Sequence, residues 1–222
     1  GASKEWLLAA LGLMLASNVL GAWQWQRLLG AASIEIPFWK VWAYYHVGLF
    51  FNNFLPANIG GDIARVLDGS RYGPSRGTPP ATVLMDRLVG TVALAGLALV
   101  TTIPAIDRFH LSVAYAAVVV FFVLSVGLVW AVFHPGSFPR IERWLSGLGL
   151  SRLNPHVDDF AARLRDFGGR RPMFLGLLMI AIVVQVARVG VHVLVARALG
   201  LSVPVTYFFL FVPLLAVIVS LP

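Results

Sequence analysis

The chain alternates long apolar runs with short polar connections. Trp6 to Leu29, Ala81 to Ile103, Leu111 to Phe133 and Pro172 to Leu199 each hold enough apolar residues for a helix that crosses a bilayer, which takes about 20. Val203 to the chain end at Pro222 forms another such run. An aromatic-rich run, Pro37 to Leu55, stops at Pro56, and Asn58, Gly60 and Gly61 follow. A short helix is predicted from Ile63 to about Leu67, then a polar loop from Asp68 to Pro80. The pattern predicts about five or six membrane segments in one domain, with no internal repeat. Neither end reads as a cleaved signal.

One connection carries its own periodicity. Leu153, Val157, Phe160, Leu164 and Phe167 recur at helical spacing and share one face, with Asn154 and Pro155 as start signals and Gly168 and Gly169 as the stop. This is either an interfacial helix lying on the membrane or a helix packed on neighbouring loops. The fold class expected is all-α: a polytopic membrane helical bundle over 1–222, with a re-entrant broken-helix hairpin and an interfacial amphipathic helix.

Composition agrees. The 222 residues are 59% hydrophobic and 12% charged, and the mean hydropathy is +0.82. Soluble domains carry about a quarter charged residues, so lipid must be the main solvent, and no room remains for a soluble catalytic domain. Cysteine is absent, which excludes disulfides and thiolate metal sites. The net charge of +7 is read as cytoplasmic loops facing anionic lipid rather than as nucleic-acid binding.

The basic residues set an expected topology. Arg140, Arg143, Arg152, Arg163, Arg165, Arg170 and Arg171 place 134–171 in the cytoplasm, and Arg65, Arg71, Arg76 and Arg87 do the same for 62–81. The connection containing Arg108 is then external. Arg27 and Lys40 flank the first turn and favour the cytoplasmic side too. All these demands hold together if the chain between the first run and Ala81 does not cross. The expectation is therefore a re-entrant, broken-helix hairpin made by 37–55 and the helix after Gly61. The alternative is that 37–55 spans, leaving Arg27 and Lys40 outside.

The break is the most informative stretch. Pro56 removes a backbone donor, Gly60 and Gly61 permit unusual angles, and Asp62 is placed to cap a helix starting at Ile63. Broken helices in membranes are tolerated inside protein or beside wet cavities, and in transporters they mark binding sites. Free amides near Gly61, with Arg65 one turn on, would suit a phosphate. A tight surface turn is the plain alternative. Asp86 and Arg87 lie just inside the third run, and Arg188 lies near the middle of the fifth with Gln185 and His192 on its face. For Asp86 a salt bridge to Arg87 or Arg65 is preferred over substrate contact; for Arg188, which has no acid on its own helix, substrate contact is preferred. His46 and His192 are read as hydrogen-bonded core residues, so neither metal nor cofactor is expected. The seven tryptophans, Trp25 among them, are read mostly as interface anchors. No familiar hydrolase, nucleotide-binding or zinc-protease motif occurs.

At these residues the chain resembles the lysylphosphatidylglycerol synthase/flippase transmembrane domain family. Gly48, Phe50, Phe51, Asn52, Leu55, Pro56, Gly60, Gly61, Asp62 and Arg65 match its most specific motif; Asp86, Arg87 and Gly90 match a second, and Arg27 looks like the arginine that closes the preceding helix. Ala57 stands where the family usually has a further glycine. A helix that typically precedes Trp6 and a glycine-rich stretch that typically follows Val203–Pro222 are missing, which is compatible with a piece of a longer membrane domain. The resemblance implies binding and translocation of a phospholipid or other anionic lipid-linked substrate in a prokaryotic inner membrane. The site residues expected are Arg65, Arg188, Asp62, Gly60, Gly61, Asn52, Asp86, Arg87, Gln185 and Arg27. Membrane lipids are the expected partners, with a homo-oligomer possible and no nucleic acid. A membrane-embedded transferase using Asp62 or Asp86, or a non-catalytic scaffold subunit, are the alternatives.

Overall fold

A computed structural model describes residues 2–52, 54, 59–73, 75–106, 109, 112–134, 137, 139–140, 143, 154–168 and 171–220. Among them are eight α-helices: α1 (Lys4–Ala31), α2 (Phe38–Asn52), α3 (Ile59–Gly69), α4 (Thr78–Thr102), α5 (Ser112–Phe133), α6 (Asn154–Gly168), α7 (Arg171–Ala198) and α8 (Val205–Ser220). Four of them, α1, α4, α5 and α7, are long and apolar enough to cross a membrane. Their outer surfaces carry large apolar side chains in the open: Val113 is 82% exposed and Leu124 65%. Water would not tolerate so much exposed hydrocarbon, whereas acyl chains would.

Helix boundaries follow local chemistry. Pro79 and Pro80 open α4, where missing amide donors cost nothing. The amides of Ser33 and Ile34 close onto the carbonyls of Gly30 and Leu29 at the end of α1. That is a Schellman turn, with Ser33 in the left-handed region at φ 60. An equivalent closure ends α7 through Gly200 and Leu201, and there glycine takes the positive φ.

The chain divides into two compact units. The first comprises Gly1–Gly21, Val89–Ser125 and Gly176–Pro222. Its core includes Ala98, Val118, Leu214 and Val217. The amide of Ser3 donates to the carbonyl of Ala198 (2.8 Å), and Arg197 lies over the Trp6 ring, so the start of α1 is tied to the end of α7. The second unit comprises Ala22–Leu88 and Val126–Leu175. Its core is Ala22, Trp25, Leu29, Ile34, Ile36, Val41 and Tyr45.

Three expectations need correcting. The helix after the break begins at Ile59, four residues earlier than predicted, so Gly60 and Gly61 lie inside its first turn. Asp62 therefore caps nothing and is free to pair elsewhere. Trp25 is fully buried and is a core residue, because it faces the packed side of α1 instead of lipid. Finally, α1 continues past Arg27 to Ala31, so Arg27 does not close it. The expected break at 55–58, with Arg108, Trp144, Arg152, Leu153, Gly169 and Arg170, lies outside the described residues.

Candidate functional site

The α2–α3 hairpin frames the site. Its helices run antiparallel and cross closely near Gly48 and Gly61, where a Cβ on Gly61 would sit 2.6 Å from the Gly48 carbonyl oxygen and 2.5 Å from Asn52 Oδ1. Only hydrogen fits there. The Gly61 amide, an orphan donor in the first turn of α3, donates to Asn52 Oδ1 at 2.7 Å. The motif residues Gly48, Asn52 and Gly61 thus build the crossing, and the Gly61 amide is already engaged within the chain. At the opposite end of the hairpin, Lys40 and Tyr44 reach Tyr72, so the chain enters and leaves the hairpin at one place.

Two ion pairs stitch α3 to α4. Arg65 Nη2 meets Asp86 Oδ2 at 2.7 Å, with side chains 9% and 13% exposed. Arg87 Nε meets Asp62 Oδ2 at 2.6 Å in a more open position. The register explains both. Asp62 and Arg65 are three apart on α3, so they rise on one face, and the adjacent Asp86 and Arg87 supply the complementary charges in reverse order. Of the two arginines expected as partners for Asp86, Arg65 is the one that meets it.

Arg65 is held on every side. Its guanidinium carbon lies 4.5 Å from the Trp25 ring centroid and 5.7 Å from that of Tyr45, and Gln24 Nε2 donates to the second carboxylate oxygen of Asp86 at 2.8 Å. Cation–π contact and a doubly engaged carboxylate are what a charge needs when water is excluded. Gln24 Oε1, Trp25 Nε1 and Arg65 Nε are nevertheless buried with no hydrogen-bond partner among the described residues. The sequence reading missed Gln24, Trp25 and Tyr45 as members of this cluster. Gln24 carried a signal, being an amide inside a long apolar run; Trp25 and Tyr45 carried none.

The remaining predicted residues divide between the two units. Gln185 and Arg188, on α7, belong to the first unit, where Gln185 Nε2 donates to the Gly90 carbonyl at 3.3 Å. Arg188 is exposed, and no ion pair involves it among the described residues. His192 is exposed rather than core, because the helical turn that places its Nδ1 on the Arg188 carbonyl turns the ring outward. Arg27, in the second unit, stacks over the Trp23 ring at 5.8 Å and is exposed. Gly60 is buried in the first turn of α3.

In the second unit α6 is clasped to the start of α4. Asp159 Oδ2 accepts from Ser75 Oγ and from the Gly77 amide, both at 2.9 Å. These donors hold the Asp159 carboxyl below its ordinary value, the Ser75 hydroxyl being the largest cause. Leu164 and Phe167 of the predicted stripe are buried, as the packed-helix reading requires.

These features define a class: a helical integral membrane protein whose second unit pairs its charges between α3 and α4, beside a closely crossed α2–α3 hairpin. The chain belongs to the lysylphosphatidylglycerol synthase TM region family, which it matches over residues 1–222. No curated protein and no solved structure matches the chain.

Proposed function

We propose that this chain is the membrane part of a lipid flippase-like protein that binds and translocates a phospholipid or other anionic lipid-linked substrate, and that Arg188 receives the anionic headgroup. The observation that carries this reading is Arg188 itself: an exposed arginine, without an ion pair among the described residues, well inside a 28-residue apolar helix. An intramembrane charge costs at least about 2.5–3.5 kcal/mol, and a ligand phosphate would offset that cost. Within the second unit, the unpartnered atoms of Gln24, Trp25 and Arg65 leave polar capacity beside the Arg65–Asp86 pair. A transferase reading would need Asp62 or Asp86 as a free carboxylate. Both are engaged by arginines, which favours transport over catalysis.

In this reading the α2–α3 hairpin is re-entrant. Its helices have 15 and 11 residues, or about 22 and 16 Å, against a hydrocarbon core of about 30 Å. Phe50, Phe54, Ile59 and Ile63, at or near the crossing end, are exposed and would enter lipid, while Lys40 and Tyr72 stay together at the surface. The Asp159 clasp joins the segments 62–81 and 134–171, which supports a shared cytoplasmic side for both.

The test is headgroup translocation in vesicles reconstituted with purified protein. Arg188→Ala should lower the rate at least about tenfold, the loss of roughly 1.4 kcal/mol of charge-assisted contact, while the helical content is kept. An unchanged rate removes Arg188 from the mechanism. Because the chain has no native cysteine, labelling Lys40→Cys and Arg71→Cys then reports the hairpin, and accessibility from opposite sides would show that α2 spans.

A further inference from the structure

The turn that joins α1 to α2 carries a groove distinct from the ion-paired cluster. It is open to the outside, holds about 740 Å³, and is lined by Trp23, Gln26, Arg27, Glu35, Pro37 and Met173 among others. All of these belong to the second unit. The volume falls in the range of small-ligand sites, about 300–1,000 Å³.

The walls are built, not accidental. Gln26 Nε2 donates to the Ile36 carbonyl at 3.1 Å and fixes the turn over the groove. Ile34 and Ile36, between which Glu35 stands, are buried in the core, so the backbone cannot swing and Glu35 is held outward. Arg27 is braced one helical turn above Trp23, with its guanidinium over the indole. The two charges line one groove, yet no ion pair forms between Arg27 and Glu35 or between either and any other described side chain. Opposite charges that line one groove without pairing among the described residues match a ligand that carries both signs.

From this we infer that the groove binds a zwitterionic phospholipid headgroup. Arg27 takes the phosphate by charge-assisted hydrogen bonds, Glu35 takes the ammonium, and the exposed Trp23 ring packs against the glycerol end. The Trp23 ring sits on α1, a helix of membrane-crossing length, at the kind of position where tryptophan meets the headgroup layer. This favours a lipid over a free phosphoamine. The inference adds a lipid site in the second unit to the one proposed at Arg188 and does not depend on translocation.

Equilibrium binding to the purified full chain in detergent tests it, read by native mass spectrometry with short-chain phosphatidylethanolamine, short-chain phosphatidylglycerol and soluble glycerophosphoethanolamine. Glu35→Gln should weaken the ethanolamine lipid about fivefold and leave the glycerol lipid unchanged, while Arg27→Ala should weaken both by about that factor. Glu35→Lys, on the exposed turn, should reverse the preference toward the anionic lipid. Equal losses for both lipids in Glu35→Gln, or none in either variant, would overturn the assignment. Soluble glycerophosphoethanolamine binding as tightly as the lipid would overturn the lipid identity. Because no translocation is measured, a failure of transport at Arg188 and a failure of binding at this groove are read separately.

Discussion

Removing Asp86 tests what the ion-paired cluster is for. Asp86→Leu leaves the Arg65 guanidinium between Trp25 and Tyr45 with no counter-charge, and it strips the Gln24 amide of its acceptor. An exposed pair would be worth about 0–1 kcal/mol, but these side chains are only 9% and 13% exposed. Breaking one partner of a buried pair costs about 3–5 kcal/mol, mostly because the survivor is stranded. The unfolding equilibrium should therefore shift on the order of 10²- to 10⁴-fold. Replacing both partners, Arg65→Met with Asp86→Leu, strands no charge and should be less destabilising than Asp86→Leu alone. Equilibrium unfolding in mixed micelles, run as a double-mutant cycle, measures the coupling. Additive losses, or a neutral Asp86→Leu, would refute the view that the pair locks α3 to α4.

Three smaller perturbations follow from single contacts. Gly61→Ala places a methyl 2.6 Å from the Gly48 carbonyl oxygen, and the overpacking should cost about 1–3 kcal/mol despite alanine's better helix propensity; a stability equal to wild type would mean the crossing is looser than described. Ser33→Gly should stabilise the end of α1 by about 0.5–1 kcal/mol, since Ser33 holds a φ of 60 that glycine adopts freely, and a lowered melting temperature would contradict this. Asp159 has a folded value lowered from 3.8, so its clasp on Ser75 and Gly77 contributes above that unfolded value and is lost as pH falls through the lower folded one. The protection of the Gly77 amide, the slowing of its exchange relative to the intrinsic rate at the same pH, should accordingly be high near pH 6 and fall in acid, whereas Asp159→Asn should remove that acid dependence.

How much of this was legible in the sequence depended on the kind of signal. The four membrane-length helices were plain because each buries or exposes apolar side chains around its whole girth, and length alone identifies them. The ion pairs were half legible. Spacing put Asp62 and Arg65 on one face, and Asp86–Arg87 offered both complementary partners, but which arginine met which aspartate depended on how α3 lies against α4. The start of α3 was misjudged because Gly60 and Gly61 were read by their helix-breaking tendency. Tertiary packing overrides that tendency here: the crossing with α2 requires glycine, and Asn52 satisfies the Gly61 amide in place of an N-cap. Trp25 was misread for a related reason, since position near the end of an apolar run does not reveal which side of the helix faces protein. The Arg27–Glu35 groove had no periodic signature at all, because it arises from a turn closed by Gln26.

Arg188 poses the sharpest contrast with the paired arginines. Among the described residues of its unit the only acid is Glu5, at the start of α1. Arg188 also stands ten residues before Ala198, the end of α7, which is about 15 Å of helix and more than an arginine side chain spans by snorkelling. A residue kept for folding would stabilise the protein; one kept for a ligand should burden it. Arg188→Leu should therefore raise stability in bilayers, by up to about 2.5–3.5 kcal/mol, while translocation falls. Both measurements on one variant decide the matter: a loss of stability with Leu would place Arg188 among the structural charges and leave the headgroup without its receptor.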